Sequence, residues 1–146
     1  MPERRLGALA PVAAVPAPRQ KVCDSAALLE RGRAHVFDVL RFGEPARAFA
    51  LRFDGVVVAY LNRCVHVPTE LDWQPGEFLD ASREFIICSI HGAAYAPHGG
   101  RCIGGPCASG KLVALEVGEE AGVVWWQPTR DTRAAPAAPS QGSPSQ

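Results

Sequence analysis

The sequence predicts an all-β fold, a small antiparallel sandwich or barrel. Short apolar runs alternate with turn residues over most of the chain, and Asp54-Gly55 separates two of these runs in the manner of a tight hairpin. The chain has 146 residues, of which 47% are hydrophobic. That length allows one well-buried domain but not two of ordinary size.

Seven apolar runs are predicted as strands, because each is short and bounded by turn-forming residues. They are residues 21–23, 34–41, 47–53, 55–61, 84–88, 111–117 and 122–126. Residues 24–31 have the one helical pattern, with Ser25 as the predicted cap. No repeat or coiled-coil pattern is present in the sequence.

The two ends of the chain are poor in residues that could pack in a core. Residues 1–18 are rich in Ala and Pro, and residues 129–146 in Ala, Pro and Ser. We predict a disordered leader, a domain over residues 19–128 and a disordered tail. Arg4-Arg5 before an apolar stretch also resembles a twin-arginine export signal, but Pro11, Pro16 and Pro18 interrupt that stretch.

Charge and cysteine content exclude several function classes. The 15 basic and 15 acidic residues balance, so no positive field is available to hold a nucleic acid or an anionic membrane. No apolar run approaches the roughly 20 residues of a membrane span. Five cysteines are an odd number, which favours metal binding in a reducing compartment over a disulfide framework. The predicted location is the cytoplasm.

Two short motifs each combine a thiol with an imidazole. They are Cys64-Val65-His66 and Cys88-Ser89-Ile90-His91, and each directly follows a predicted strand. Mixed Cys and His pairs at such close spacing place two metal donors on one loop tip. The four donors therefore predict a metal site formed by two strand-anchored loops, and a structural zinc site remains an alternative at this point.

The motif pair resembles the Rieske iron–sulfur family, whose signature is Cys-x-His followed by Cys-x-x-His. The similarity extends over about residues 22–126 and includes the residues Gly92, Tyr95, Pro97, Gly100, Gly105 and Pro106. It implies a 2Fe-2S cluster held in a subdomain of two loops. Cys64 and Cys88 would bind one iron, and His66 and His91 the other. Tyr95 would hydrogen-bond a ligand sulfur, and the loop with Pro106 would cover the cluster.

Some positions depart from the respiratory members of the family, where a disulfide ties the two ligand loops together. Thr69 and Ile90 occupy the corresponding positions, so that bridge cannot form. Ala93 replaces a serine that donates a hydrogen bond to a bridging sulfide. Since hydrogen bonds to sulfur raise the potential, we predict a low-potential centre, roughly −150 mV rather than +300 mV.

The remaining candidate residues receive structural interpretations. Cys102 and Cys107 are predicted as free thiols, with a labile disulfide between them as the alternative, and Cys23 as a small buried hydrophobe. His98 is predicted in a solvated loop and His35 on a strand surface. The long segment between the motifs contains Trp73, and is either a flap over the site or an ordinary surface insertion.

The resemblance implies single-electron transfer. The leading prediction is a ferredoxin that connects a flavin-dependent reductase to an oxygenase. Alternatives are a small subunit of a larger oxidoreductase, such as a nitrite reductase, and a zinc-binding interaction module. Oxygenases of this family add a catalytic iron bound by two histidines and a carboxylate. Only His98 follows His91 here, so we expect no catalytic centre in this chain.

Overall fold

The computed structural model describes residues 17–65, 69–90, 92–107 and 110–136. These residues contain ten strands, all paired antiparallel, and two 3₁₀ turns, Ser25–Ala27 and Gly105–Cys107. The strands are β1 (Gln20–Asp24), β2 (His35–Arg41), β3 (Glu44–Phe53), β4 (Val56–Leu61), β5 (Ile86–Ile87), β6 (Ala94–Tyr95), β7 (Cys102–Gly104), β8 (Glu116–Glu120), β9 (Val123–Gln127) and β10 (Thr132–Ala134). The predicted all-β class is confirmed.

Three sheets organise the domain. Their strand orders are β1-β9-β8, β10-β2-β3-β4 and β5-β6-β7. The two larger sheets enclose the sandwich core, to which they contribute Val22, Val39, Ala48, Ala50, Val57, Ala59, Val124 and Trp126. The site core lies between the four-stranded sheet and the small sheet and includes Phe49, Leu51, Tyr60, Cys64, Leu71, Phe78, Ile86, Cys88, Tyr95 and Leu112.

Strand β3 belongs to both cores because successive side chains of a strand point to opposite faces. Ala48 and Ala50 belong to the sandwich core, whereas Phe49 and Leu51 belong to the site core. All four residues are buried. The sandwich therefore provides a rigid support for the loops on the opposite face of β3.

The predicted hairpin at Asp54-Gly55 is present and connects β3 to β4. Both turn residues have positive φ, 55° at Asp54 and 78° at Gly55, as a two-residue type I′ turn requires. The carboxylate of Glu30 accepts hydrogen bonds from both turn amides, at 2.6 and 2.8 Å. The hairpin is thus held by local conformation and by a contact from outside it.

The predicted helix over residues 24–31 is wrong. Strand β1 continues through Asp24, and only the 3₁₀ turn Ser25–Ala27 follows, without a side-chain cap. The guanidinium of Arg52 donates hydrogen bonds to the carbonyls of Ser25 and Leu28, at 3.1 and 2.8 Å. Carbonyls that a helix would use internally are therefore bound to a neighbouring strand.

The predicted strand over residues 111–117 is also wrong. Lys111 and Ala114 each form only an isolated bridge, and the strand β8 begins at Glu116. Leu112 and Leu115 lie in different cores, so this segment crosses from one core to the other. The predicted strand over residues 84–88 is reduced to the two residues of β5.

Part of the predicted C-terminal tail is ordered. Strand β10 pairs with β2, and the buried hydroxyl of Thr132 accepts a hydrogen bond from Arg41 at 2.9 Å. The polar composition of residues 132–134 did not indicate a strand, because the pairing of this edge strand depends on backbone groups. Residues 1–16 of the predicted leader and residues 137–146 of the tail lie outside the described residues.

Candidate metal centre

The first ligand loop begins at Cys64, three residues after β4 ends. The amide of Cys64 donates a hydrogen bond to the carbonyl of Thr69 at 2.9 Å, which closes the loop at its base. Buried Asn62 accepts a hydrogen bond from the amide of Leu71 at 2.7 Å and so fixes the base to the following segment. Cys64 is 2% exposed, whereas Val65 beside it is 42% exposed.

The second ligand loop begins at Cys88, directly after β5, and closes in the same way. The amide of Cys88 donates to the carbonyl of Ala93 at 2.8 Å, and the amide of Gly92 donates to the carbonyl of Cys88 at 3.0 Å. Cys88 is 1% exposed, and Ile90 near the loop tip is 53% exposed. Both candidate thiols thus point into the site core from loops of equal span.

The hydroxyl of Tyr95 contacts the first ligand loop. It lies 3.3 Å from Sγ of Cys64 and accepts a hydrogen bond from the amide of Val65 at 3.2 Å. Because the oxygen accepts from that amide, its own proton can be donated to the sulfur. Burial raises the pKa of Tyr95, and Cys64 and Cys88 raise it further. The phenol therefore keeps its proton, and both sulfurs act on the same group.

The two predicted imidazole ligands, His66 and His91, lie outside the described residues. Each lies in the sequence between the two residues that close its loop. Among the described residues, no three His, Cys, Asp or Glu side chains form a metal-binding group. The four-ligand assignment therefore stays a prediction.

A third loop, which includes the turn Gly105–Cys107, packs against the second ligand loop. A Cβ on Gly105 would lie 2.9 Å from Cα of Ala93 and from the carbonyl oxygen of Gly92, and its φ is +79°. Only glycine allows this close approach. Pro106 is exposed beside it, and its predicted role in covering the site stays a prediction.

Cys102 and Cys107 form a disulfide, so their prediction as free thiols is wrong. Their Cα atoms are 5.8 Å apart, within the usual bridging range. The four intervening residues, Ile-Gly-Gly-Pro, turn the chain back so that the two cysteines meet. This turn was the signal that the prediction undervalued.

The other candidate residues are near their expected positions. Cys23 is buried, and burial raises the pKa of its thiol. The exposed ring of His98 lies edge-on to Phe53, with Nε2 3.6 Å from a carboxylate oxygen of Asp54. His35 is half-buried on β2.

The segment between the motifs contributes more to the core than an ordinary surface insertion does. Phe78 is buried and stacks on Phe49 with 3.8 Å between the ring centroids. Leu71 and Leu79 are also buried. Trp73 is half-exposed, and its indole N–H donates to the carbonyl of Leu79 at 3.2 Å. The segment therefore contributes buried side chains to the site core and one aromatic ring, that of Trp73, to the surface.

The two ligand loops each place one buried cysteine in the same core, which fits a family of proteins that bind an iron–sulfur cluster. The family model described as Rieske [2Fe-2S] domain matches residues 19–116 of this chain. The chain belongs to this family. No curated protein sequence matches the chain.

Solved structures of Rieske proteins have a similar fold. The ferredoxin of carbazole 1,9a-dioxygenase from Nocardioides aromaticivorans IC177 is 22% identical, with 77% of this chain and 100% of that chain covered and a TM-score of 0.62. The terminal oxygenase of carbazole 1,9a-dioxygenase from Novosphingobium sp. KA1 is 25% identical, with 74% and 29% covered and a TM-score of 0.58. A complex of reduced oxygenase and oxidized ferredoxin contains a chain with 23% identity, 75% and 92% coverage and a TM-score of 0.58.

Membership of the family confirms the predicted cofactor, one Rieske-type 2Fe-2S cluster, and the predicted class of function, single-electron transfer. The donors that the structure describes fit that group, because thiolates are the ligands that iron–sulfur clusters take. The Tyr95 hydroxyl beside Cys64 supplies a hydrogen bond to sulfur.

Proposed function

We propose that this chain is the ferredoxin component of an oxygenase system. It would accept single electrons from a flavin-dependent reductase and pass them to an oxygenase. The observation that supports this proposal most directly is the pair of closed loops, whose thiols are buried while their tips carry exposed apolar residues. When bound, the cluster supplies a one-electron redox couple.

In this proposal the four motif residues have separate tasks. Cys64 and Cys88 would hold one iron, and His66 and His91 would hold the other. Tyr95 fixes the first thiolate by its hydrogen bond and by its contact with the amide of the next residue. The closed loops keep water away from the sulfurs, since both cysteines are almost fully buried.

The proposed contact with partners is the apolar tip, which consists of Val65, Ile90 and Ile103. Val65 and Ile90 lie in the two ligand loops and Ile103 in β7, and their exposed fractions are 42%, 53% and 49%. Exposed apolar side chains suit the small, transient contacts of redox proteins.

The charged residues next to the tip favour an acidic partner surface. Arg63, Arg101 and Lys111 are exposed, and none forms a salt bridge with a described residue. Arg101 and Lys111 face each other across an antiparallel bridge, an arrangement of like charges that costs stability. A partner with carboxylates around its own redox site would offset that cost.

The solved structures differ in how much of their length this chain covers. This chain covers 100% of the carbazole dioxygenase ferredoxin but 29% of the oxygenase chain. Family membership also favours the cluster over a zinc site.

The reductase partner and the cytoplasmic location remain predictions. In the described part of the chain there is no apolar helix of the length that a membrane span requires.

A single-turnover experiment tests the proposal. The purified chain is reduced with dithionite and mixed anaerobically with an oxidised Rieske oxygenase from the same genome, with stopped-flow detection of both clusters. We expect fast, salt-sensitive reoxidation of the chain. A colourless protein that binds zinc instead of iron, or a reduced chain that no such oxygenase reoxidises, would contradict the proposal.

A further inference from the structure

The Cys102–Cys107 disulfide lies beside the candidate metal centre. Cys107 is buried in the site core, and Cys102 packs against that core. The same core contains Cys64 and Cys88. Cluster binding uses neither residue of the bridge, so the disulfide needs an explanation of its own.

The disulfide closes a short structure that we call the brace, consisting of residues 102–107 and 110. The amide of Cys102 donates a hydrogen bond to the carbonyl of Gly110 at 2.8 Å, and the amide of Gly110 donates to the carbonyl of Cys107 at 3.1 Å. These two hydrogen bonds and the disulfide connect Cys102, Cys107 and Gly110 to one another. Of these connections, only the disulfide between Cys102 and Cys107 is covalent.

The brace contacts both ligand loops. A Cβ on Gly105 would lie 2.9 Å from Cα of Ala93, in the loop that begins at Cys88. A Cβ on Gly110 would lie 2.9 Å from Cγ2 of Val65, in the loop that begins at Cys64. The disulfide-closed residues thus pack against the loop of Cys88, and Gly110, which is hydrogen-bonded to Cys102 and Cys107, packs against the loop of Cys64.

We propose that the Cys102–Cys107 disulfide is a redox-sensitive brace that holds both ligand loops in place, and that its reduction loosens both loops and shortens cluster retention. The statement about the cluster rests on the proposed function, whereas the statement about the loops does not. Because Thr69 and Ile90 exclude a bridge between the ligand loops themselves, the brace stabilises them from outside.

The opening step is ordinary thiol–disulfide exchange with a dithiol reductant. A thiolate of the reductant attacks one sulfur, the Cys102–Cys107 bond breaks, and a mixed disulfide forms. The second thiol of the reductant then attacks this mixed disulfide and releases the cysteine of the chain as a thiol. The chain thereby gains two electrons and two protons as two thiols, and the reductant becomes a disulfide. In a cytosol kept reducing by thiol systems the brace would respond to the dithiol pool.

Hydrogen exchange of the holoprotein, followed by mass spectrometry, tests the brace. The samples are the oxidised wild type, the wild type treated with dithiothreitol, and the double variant Cys102→Ala/Cys107→Ala. Cys23→Ala is the matched control, because Cys23 is buried in the other core. We expect peptides with Cys64 and Cys88 to exchange at least threefold faster once the bridge is absent, and peptides of β1 and β9 to stay unchanged.

A second pair of variants tests the contact without touching sulfur. Gly105→Ala would force the brace away from Ala93, whereas a Cβ on Gly104 meets no atom within 4 Å. We expect Gly105→Ala, but not Gly104→Ala, to accelerate exchange in the loop of Cys88. Equal exchange in both variants would contradict the contact.

Two further readouts separate this inference from the proposed function. Alkylation of the unfolded, unreduced protein after cluster release should label three cysteines, and five after reduction. Bleaching of the visible absorption should be several-fold faster in the double variant than in Cys23→Ala. Five labelled cysteines before reduction, or unchanged exchange at Cys64 and Cys88, would overturn the brace. A wild type without visible absorption would overturn the function alone, because exchange still reports the loops.

Discussion

Tyr95 illustrates how one residue can serve fold and function together. Its ring is fully buried in the site core, and its hydroxyl contacts both the sulfur of Cys64 and the amide of Val65. Its raised pKa keeps the hydroxyl a donor. Since a hydrogen bond to sulfur stabilises the more negative reduced cluster, this contact raises the potential of the centre.

Replacing Tyr95 by Phe tests that contact while the ring stays in place. The loss of one hydrogen bond, about 1 kcal/mol, should lower the midpoint potential by roughly 40 mV. Redox titration of the two proteins gives the difference. Tyr60→Phe is the control, because the buried hydroxyl of Tyr60 donates to the carbonyl of Pro97 instead of to a sulfur. An equal shift in both variants would contradict the assigned role of Tyr95.

The absolute potential is a separate prediction. Ala93 offers no hydroxyl, and Thr69 and Ile90 allow no bridge between the loops, so we expect a midpoint of roughly −150 mV. Redox titration of the wild type measures this directly. A midpoint well above 0 mV on the same scale would contradict this prediction.

At the level of single residues, the motif singled out Cys64, Cys88 and Tyr95, which the structure places in one core. Their roles in holding the cluster stay predictions. The Cys102–Cys107 bridge was only the alternative to free thiols, because a sequence does not reveal whether a turn brings two thiols within reach. The contribution of Asn62 was missed for a similar reason, since its hydrogen bonds join segments that are separate in the sequence.

The elements divide according to the source of their stability. The hairpin of β3 and β4 was predicted correctly because Asp54-Gly55 specifies its own turn conformation. The helix over residues 24–31 failed because Arg52, from a neighbouring strand, binds its carbonyls. The short strands β5, β6 and β7 carry little pattern of their own, because they form around the closed ligand loops.

Gly55→Ala tests the turn that supports β3 and β4. Gly55 has a φ of 78°, which costs an L-residue about 1 kcal/mol, although its Cβ would meet no atom within 4 Å. We expect the midpoint of thermal unfolding to fall by roughly 3–4 °C with the visible spectrum unchanged. Gly55→Asn is the control, because Asn tolerates this conformation and should recover most of the loss. Equal losses in both variants would indicate a cause other than φ.

At the scale of the whole molecule, zero net charge conceals an uneven distribution. The 15 basic and 15 acidic residues cancel, yet Arg63, Arg101 and Lys111 are all exposed and lie next in sequence to Cys64, Cys102 and Gly110. The sequence correctly indicated the absence of a bulk field. Only the folded chain shows that Arg101 and Lys111 lie opposite each other.

Small ionic oxidants can test this local charge without a protein partner. Lys111→Glu should slow oxidation of the reduced chain by anionic hexacyanoferrate(III) by a few-fold at low salt and accelerate oxidation by cationic hexaamminecobalt(III). Stopped-flow spectroscopy measures both rates. Arg133→Glu is the control, as an exposed charge reversal on β10. Equal effects of the two variants would show that net charge, and not the surface near the site, controls the rates.

The central claim is that two loops hold one cluster through two thiolates and two imidazoles. The most direct test is electron paramagnetic resonance of the reduced protein with detection of ¹⁴N hyperfine coupling. We expect a 2Fe-2S signal coupled to two imidazole nitrogens, which His66→Ala and His91→Ala abolish while His98→Ala leaves it intact. A cluster signal without nitrogen coupling, or one that survives loss of His66 or His91 unchanged, would contradict the account.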